Sequence, residues 1–234
     1  MSPPTEPLGI EDLALLDRLP AAARRALLER TVTHSVPAGT VLFEQGVIPT
    51  FQHVVLVGAV HLFGRSSDGG EVLIEVVEPP DLVLPAAVLT ASPYLTQGRT
   101  LGPARLLLIE ASAFRSAVIA EPALAQVAIA SLAGQFRRMV RQIKSLKLRT
   151  APQRVGCYLL ELARRQRSDT VRLPYEKSLI ASELGMTRES FSRALSALHR
   201  EGITVGADPI AILDRERLVA LARPDPLIDG GDDR

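Results

Sequence analysis

A heptad run of apolar residues marks the middle of the chain. Ala125, Ile129, Leu132, Phe136, Met139, Ile143 and Leu146 follow one another at intervals of 4, 3, 4, 3, 4 and 3. That spacing keeps one seam along a helix of about 25 residues, some 38 Å long at about 1.5 Å per residue. So long a helix extends past the edge of a small domain, so the seam predicts homodimerisation through Ile129, Leu132, Phe136, Met139, Ile143 and Leu146. The alternative is that it packs back on its own domain.

Upstream, from Thr31 to about Ile109, the pattern changes to short apolar stretches cut by Gly and Pro: "TVLFEQG", "HVVLVGAVHLF", "EVLIEVVEP" and "ARLLLIE". Strands of that length between turn segments such as "SSDGG" predict a compact antiparallel barrel or sandwich, with a β-roll as first choice. Residues 10–30 have helical spacing broken at Pro20, which reads as two short helices joined by a turn.

Downstream, "APQRVGCYLLELARRQ" is helical, residues 178–184 form a short helix, Gly185 and Met186 turn the chain, and a second helix runs from 187 to about 200. Ala181 and Gly185 sit four apart, small where two helices cross and then free to turn, which is helix-turn-helix spacing. "ITVGADPIAIL" reads as a hairpin wing. "DRERLVALA" reads as a last helix, and "RPDPLIDGGDDR" as a disordered tail.

The second helix of that pair divides its residues by chemistry. At about 100° per residue from Arg188, Ser192, Glu189 and Arg193 fall at about 40°, 100° and 140°, while Ala194, Leu198, Phe191 and Leu195 fall between about 240° and 340°. One face docks and the other is free to read. A DNA major groove offers paired acceptors on guanine, a donor amine on cytosine and a methyl on thymine, which suit Arg, Glu and a small Ser. A solvated face with internal Arg–Glu pairing is the plain alternative; the turn and wing around the helix favour DNA.

Charge and cysteine content narrow the setting. Lys and Arg total 27 against 26 acids, so DNA affinity must come from a local basic face and not from a global field. The single Cys157 excludes an internal disulfide and an iron–sulfur cluster held by several thiolates of one chain, and reads as buried packing. No stretch reaches the roughly 18 apolar residues of a membrane span and the N-terminus lacks a leader pattern, so a cytoplasmic protein without membrane contact is expected.

Three segments together resemble the Crp/Fnr superfamily of transcription regulators. "TRESFSRAL" matches that family's recognition-helix pattern, "VPAGTVLFEQG" the opening of its β-roll, and "IAILDRERL" the close of its wing. The resemblance implies an α+β fold: a cyclic-nucleotide-binding-like β-roll, or jelly roll, with its N-terminal helices in residues 1–120, a dimerisation helix in 121–149, a winged helix-turn-helix in 150–223 and a tail in 224–234. It implies double-stranded DNA and RNA polymerase as partners and a half-site related to TTGAT. Glu189, Ser192 and Arg193 would read bases, with Thr187 and Arg188 at the phosphate backbone.

Departures from the family's pattern bear on the signal. Cyclic-nucleotide members hold ribose and phosphate with a Gly-Glu-Leu stretch and an Arg-Ser pair, whereas residues 79–102 read "PPDLVLPAAVLTASPYLTQGRTLG" and offer a phosphate only Arg99. No cyclic nucleotide is expected. What remains is similar to the branch that regulates denitrification and answers nitric oxide, which implies a haem cofactor and a diatomic gas, NO or O2, as signal. Val83, Leu84, Val88, Leu89 and Tyr94 would line that effector pocket. His34, His53 and His61 are the candidate metal ligands, His53 and His61 lying across the Val57-Gly58-Ala59 turn of one hairpin; each also reads as an ordinary strand histidine. His199 reads as a surface or backbone-facing residue. A regulator without haem, controlled by another small molecule or by its abundance, is the alternative. A cupin-like metal enzyme would need converging His and carboxylate ligands, and "HVVLVGAVH" offers too few, so no enzyme is expected.

Overall fold

The computed structural model describes residues 19–67, 69–206 and 208–230, arranged as two compact units, residues 1–135 and 136–234. The helix expected before Pro20 and residues 231–234 lie outside the described residues.

The first unit begins with α1 (Ala21–Leu28) and continues through eight strands: β1 (Thr31–Val36), β2 (Val41–Phe43), β3 (Phe51–Val57), β4 (Val60–Arg65), β5 (Glu71–Val77), β6 (Leu82–Val83), β7 (Gln97–Arg99) and β8 (Ala104–Glu110). They form two four-stranded antiparallel sheets, ordered β1-β8-β3-β6 and β2-β7-β4-β5. Successive strand residues face opposite sides, and the central strands β3 and β8 of the first sheet are covered on both. Val54, Leu56, Leu82, Leu107 and Ile109 pack with Phe114 and Leu124 in one core, while Val55, Val83 and Leu106 pack with Phe43, Val60 and Leu62 in another. Two-sided burial explains why "HVVLV" and "RLLLI" run apolar without alternation.

This corrects the expected hairpin. β3 and β4 belong to different sheets, and Gly58 between them carries the chain across: its φ is +80° and a β-carbon there would stand 2.5 Å from the Pro103 carbonyl. His53 and His61 therefore sit on separate sheets.

Two helices absent from the sequence reading close this unit. α2 (Pro85–Thr90) interrupts the segment between β6 and β7, and α3 (Ala111–Ala120) follows β8 without a gap, burying Phe114 completely. The long helix α4 (Pro122–Leu148) then begins. Its first half is tied to β6, where Ser131 donates to Asp81 at 2.7 Å and the Gln135 amide to the Leu82 carbonyl at 2.8 Å.

The second unit takes the rest of α4, then α5 (Ala151–Gln166), β9 (Thr170–Val171), α6 (Lys177–Glu183), α7 (Arg188–Arg200), β10 (Thr204–Val205), β11 (Ile210–Ile212), α8 (Arg215–Ala222) and α9 (Pro226–Asp229). Its core joins Val155, Leu159 and Leu162 of α5 to Ile180 of α6, to Phe191, Leu195 and Leu198 of α7, and to Ile210 and Leu218. The wing is a three-stranded sheet ordered β10-β11-β9, one strand more than the hairpin expected. The expectation of a disordered tail from 224 is also corrected: Asp225 caps α9 by accepting from the Leu227 N–H at 2.9 Å, and the helix is held by charge pairs described below.

The interior of the roll is filled by an aromatic plug. The Phe43 ring lies so close to Gly98 that a β-carbon there would be 2.3 Å away, and it stacks on Tyr94 with centroids 3.9 Å apart. Phe43→Ala should therefore destabilise the protein by about 3–5 kcal/mol. Urea unfolding checks this; a loss under about 1 kcal/mol would mean that the roll closes without the plug.

Candidate nucleic-acid interface

Helix α7 begins where the turn places it. Gly185 adopts φ +62°, Met186 N–H donates to the Ala181 carbonyl at 2.9 Å, and Thr187 then caps the helix by accepting from the Ser190 N–H at 3.2 Å. Gly185 is required for space as well as angle, since a β-carbon there would stand 2.2 Å from a Leu146 methyl of α4. The turn of the reading motif is thus seated on the last turn of α4.

The two faces expected of α7 are both present. Phe191, Ala194, Leu195 and Leu198 are buried, and Arg188, Glu189, Ser192 and Arg193 are exposed together on the other side. The Arg193 guanidinium donates to the Ser190 hydroxyl at 3.0 Å, which steadies it over its own helix. Glu189 is bonded to its own backbone N–H and to Thr187, with Arg188 and Arg193 nearby, so its carboxyl is held below the usual range and is an anion at neutral pH. The exposed face therefore presents two fixed cations, one fixed anion and one small hydroxyl.

Sequence reasoning missed the residues that frame this face. A cleft of about 320 Å³ beside it is lined by Tyr175, Lys177 and Ser178 at the start of α6, with Arg188 and Asp208. His199 joins the end of α7 to the wing: its Nδ1 lies 2.7 Å from the Thr204 hydroxyl and 3.0 Å from the Thr204 carbonyl. Arg217 of α8 donates to the Glu201 carbonyl at 2.7 Å. None of these contacts follows a spacing rule, and only the wing itself was signalled.

The seam of α4 lies open in the single chain. Ile129 is 64% exposed, Phe136 61%, Met139 51% and Ile143 45%, with Leu146 at 40%; Leu132 is half-buried. No Asp or Glu occurs from 122 to 150. With Ile129, Phe136 and Ile143 as one set of seam positions and Leu132, Met139 and Leu146 as the other, the flanking positions hold Ala128, Gln135, Gln142, Ala133, Val140 and Lys147. Arg137, Arg138, Arg141 and Lys144 fall away from the seam, so two such helices side by side in parallel oppose almost no like charges. Among the described residues no single helix is long and apolar enough to cross a membrane.

The five residues expected to line an effector pocket do not share a wall. Val83 and Tyr94, with Leu84 against them, belong to the core between the two sheets, whereas Val88 and Leu89 belong to the core on the other face of the first sheet. Val83, Val88 and Tyr94 are 0–2% exposed. The five therefore share no common wall, and the residues present do not fit a haem in this arrangement. The candidate axial ligands are equally scattered: His34 is exposed on the edge strand β1, His53 packs against the Phe43 ring at 5.6 Å, and His61 is on the second sheet. Burial lowers both His53 and His61 to about 4, helped at His61 by Arg99, so both are neutral at pH 7. No group of three or more His, Cys, Asp or Glu able to hold a metal occurs among the described residues. Arg99 is itself engaged, lying 3.8 Å over the Phe63 ring and donating to Glu71 at 2.6 and 3.2 Å. Cys157 is buried against the Ala222 carbonyl, and burial pushes its thiol up to about 11.

Comparison with known proteins agrees with both units. Residues 33–120 match the cyclic nucleotide-binding domain family and residues 153–221 the Crp-like helix-turn-helix domain family. The chain is 26% identical over 208 residues to the CRP-like cAMP-activated global transcriptional regulator of Mycobacterium tuberculosis, covering 86% of this chain and 93% of that one. The FixK2 structure from Bradyrhizobium japonicum shares 26% identity over 83% of this chain and 98% of its own, with TM-score 0.68. A solved Silicibacter pomeroyi protein, assigned as a cAMP-binding regulator, shares 32% identity over 90% of this chain and 94% of its own, with TM-score 0.55.

Because the pocket residues are divided by a sheet, haemin added to the purified protein should give a broad spectrum that does not saturate. A sharp Soret band saturating near one haemin per chain would show instead that the roll opens to admit it.

Proposed function

The chain belongs to the Crp/Fnr family of DNA-binding transcription regulators, and from that premise we propose that it acts as a homodimer on an inverted repeat of TTGAT-like half-sites. The observation that carries this reading is the pairing of an exposed, chemically mixed face on α7 with an uncovered seam on α4, whose part from Phe136 to Leu146 lies in the same unit as α7. Two copies joined along that seam would present two recognition helices to successive major grooves, about 34 Å apart on one side of the duplex. Glu189, Ser192 and Arg193 then face base edges, where Arg suits guanine, Glu suits the cytosine amine and Ser accommodates a thymine methyl. Thr187 and Arg188, at the start of the helix, lie against phosphate.

Contact with RNA polymerase, and with it the direction of regulation, completes the reading, which places the protein in the cytoplasm with its DNA. Control of DNA affinity passes to a small molecule other than haem or to the abundance of the protein. A signal other than a cyclic nucleotide is part of this reading, supported by the Phe43–Tyr94 stack inside the roll and by the pairing of Arg99 with Glu71.

Ile143→Glu, which places a charge in the seam, should turn the protein monomeric in sedimentation and weaken binding to the palindrome, because a half-site alone retains one set of contacts. A variant that stays dimeric and binds as tightly as the parent would remove the seam from the interface.

Reading and positioning separate on α7. Arg193→Ala should lose about 1–3 kcal/mol per half-site and relax preference at one guanine, whereas Arg188→Ala should weaken all sequences alike and flatten the salt dependence. Fluorescence titrations on cognate and scrambled DNA distinguish the two; equal losses on both for Arg193→Ala would make it a backbone contact.

A further inference from the structure

Between α4 and α5 only Arg149 and Thr150 are outside a helix. A joint of two residues would by itself let the reading head swing on α4, but here it is bridged. Arg149 has a side chain only 7% exposed, and its guanidinium meets Asp229 of α9 in a two-pronged pair at 2.6 and 2.5 Å. Its carbonyl accepts from Arg154 of α5 at 2.9 Å. One turn earlier on α4, Lys144 lies 3.8 Å from Asp225.

The short helix α9 is built around these carboxylates. Asp229 also accepts from the Asp225 N–H at 2.7 Å, so one side chain closes its own helix and receives the arginine. α9 follows α8 in the chain, and α8 is seated on α5, where a β-carbon on Gly156 would stand 2.9 Å from the Ala222 side chain. Contacts therefore form a closed ring from α4 through the joint, α5 and α8 to α9 and back to α4. Leu146 against Gly185 adds a second tie on the same last turn of α4. A paired fork of this kind fixes direction as well as distance, which a single flexible charge does not.

We infer that Asp229 and Arg149 form a positioning pair that sets the angle of the DNA-reading head on α4, and so the separation of half-sites that the protein accepts. The pair touches neither base nor phosphate; it acts through the pose of α7. The inference rests on the homodimer reading, because only a dimer measures a separation. Without the carboxylate, the guanidinium is left in a site built for its partner, the ring opens at α9 and the head gains freedom about the joint.

The test compares the parent with Asp229→Asn and the milder Asp225→Asn on inverted repeats of the preferred spacing and of spacings changed by two base pairs. The parent should discriminate against the altered spacings by about tenfold or more. Asp229→Asn should lose most of that discrimination while keeping its preference for the right base within each half-site. Asp225→Asn should fall between the two. Arg149→Met combined with Asp229→Asn should be no worse than the poorer single variant, as expected of two residues in one interaction. Amide exchange of residues 144–150, read in the same proteins without DNA, should quicken in Asp229→Asn and leave α7 unchanged.

Unaltered spacing discrimination with unaltered exchange in Asp229→Asn would overturn the inference, as would parallel loss of spacing and base discrimination, which marks unfolding of the head. Sedimentation keeps the two readings apart. If the parent is monomeric, the homodimer reading falls, and the exchange of residues 144–150 alone decides whether the pair holds the joint.

Discussion

An apolar seam that water touches from Ile129 to Leu146, on a helix without one carboxylate, is the constraint on which the rest depends. Large side chains repeated at heptad spacing lose their favourable burial unless another surface covers them, and burial is the main driving term available to a helix of this kind. The positions flanking the seam are small, amide or aliphatic, with one lysine, while the arginines are turned aside. That distribution suits a second copy of the same helix better than an acidic partner, which would be drawn to the basic side and leave the seam wet.

The last turn of the same helix also seats the reading motif. Leu146 fills the space that Gly185 leaves by having no side chain, so the glycine permits both the left-handed turn and the close approach. From that fixed point Thr187 starts α7, the buried stripe from Phe191 to Leu198 sets its rotation, and rotation alone decides that Glu189, Ser192 and Arg193 face outward. Sequence thus specifies the proposed binding surface indirectly: the residues that place it are apolar and buried on the opposite side of the helix.

Much of this was legible from residue spacing. The seam, the two faces of α7 and the turn at Gly185 follow helical periodicity, which is local and survives any tertiary context. The β-roll was legible as a class, but its pairing was not, because a continuous apolar run such as "HVVLV" does not say which sheet its neighbour joins. Helix α3 was hidden by following β8 without a turn signal. The tail looked disordered because Pro, Gly and Asp suggest solvation, whereas Asp225 and Asp229 are ordered by Lys144 and Arg149, far away in sequence. The expected effector wall failed for a similar reason: Val83 and Val88 are near in sequence, yet β6 and the turn into α2 send them to opposite faces of a sheet.

Hydroxyl-radical footprinting on a duplex carrying one inverted repeat tests the central claim most directly. Two heads held on paired α4 helices predict two protected patches on one face of the duplex, about 34 Å apart and appearing together as protein is added. A single patch, or two that fill independently at different concentrations, would contradict a dimer joined along the seam.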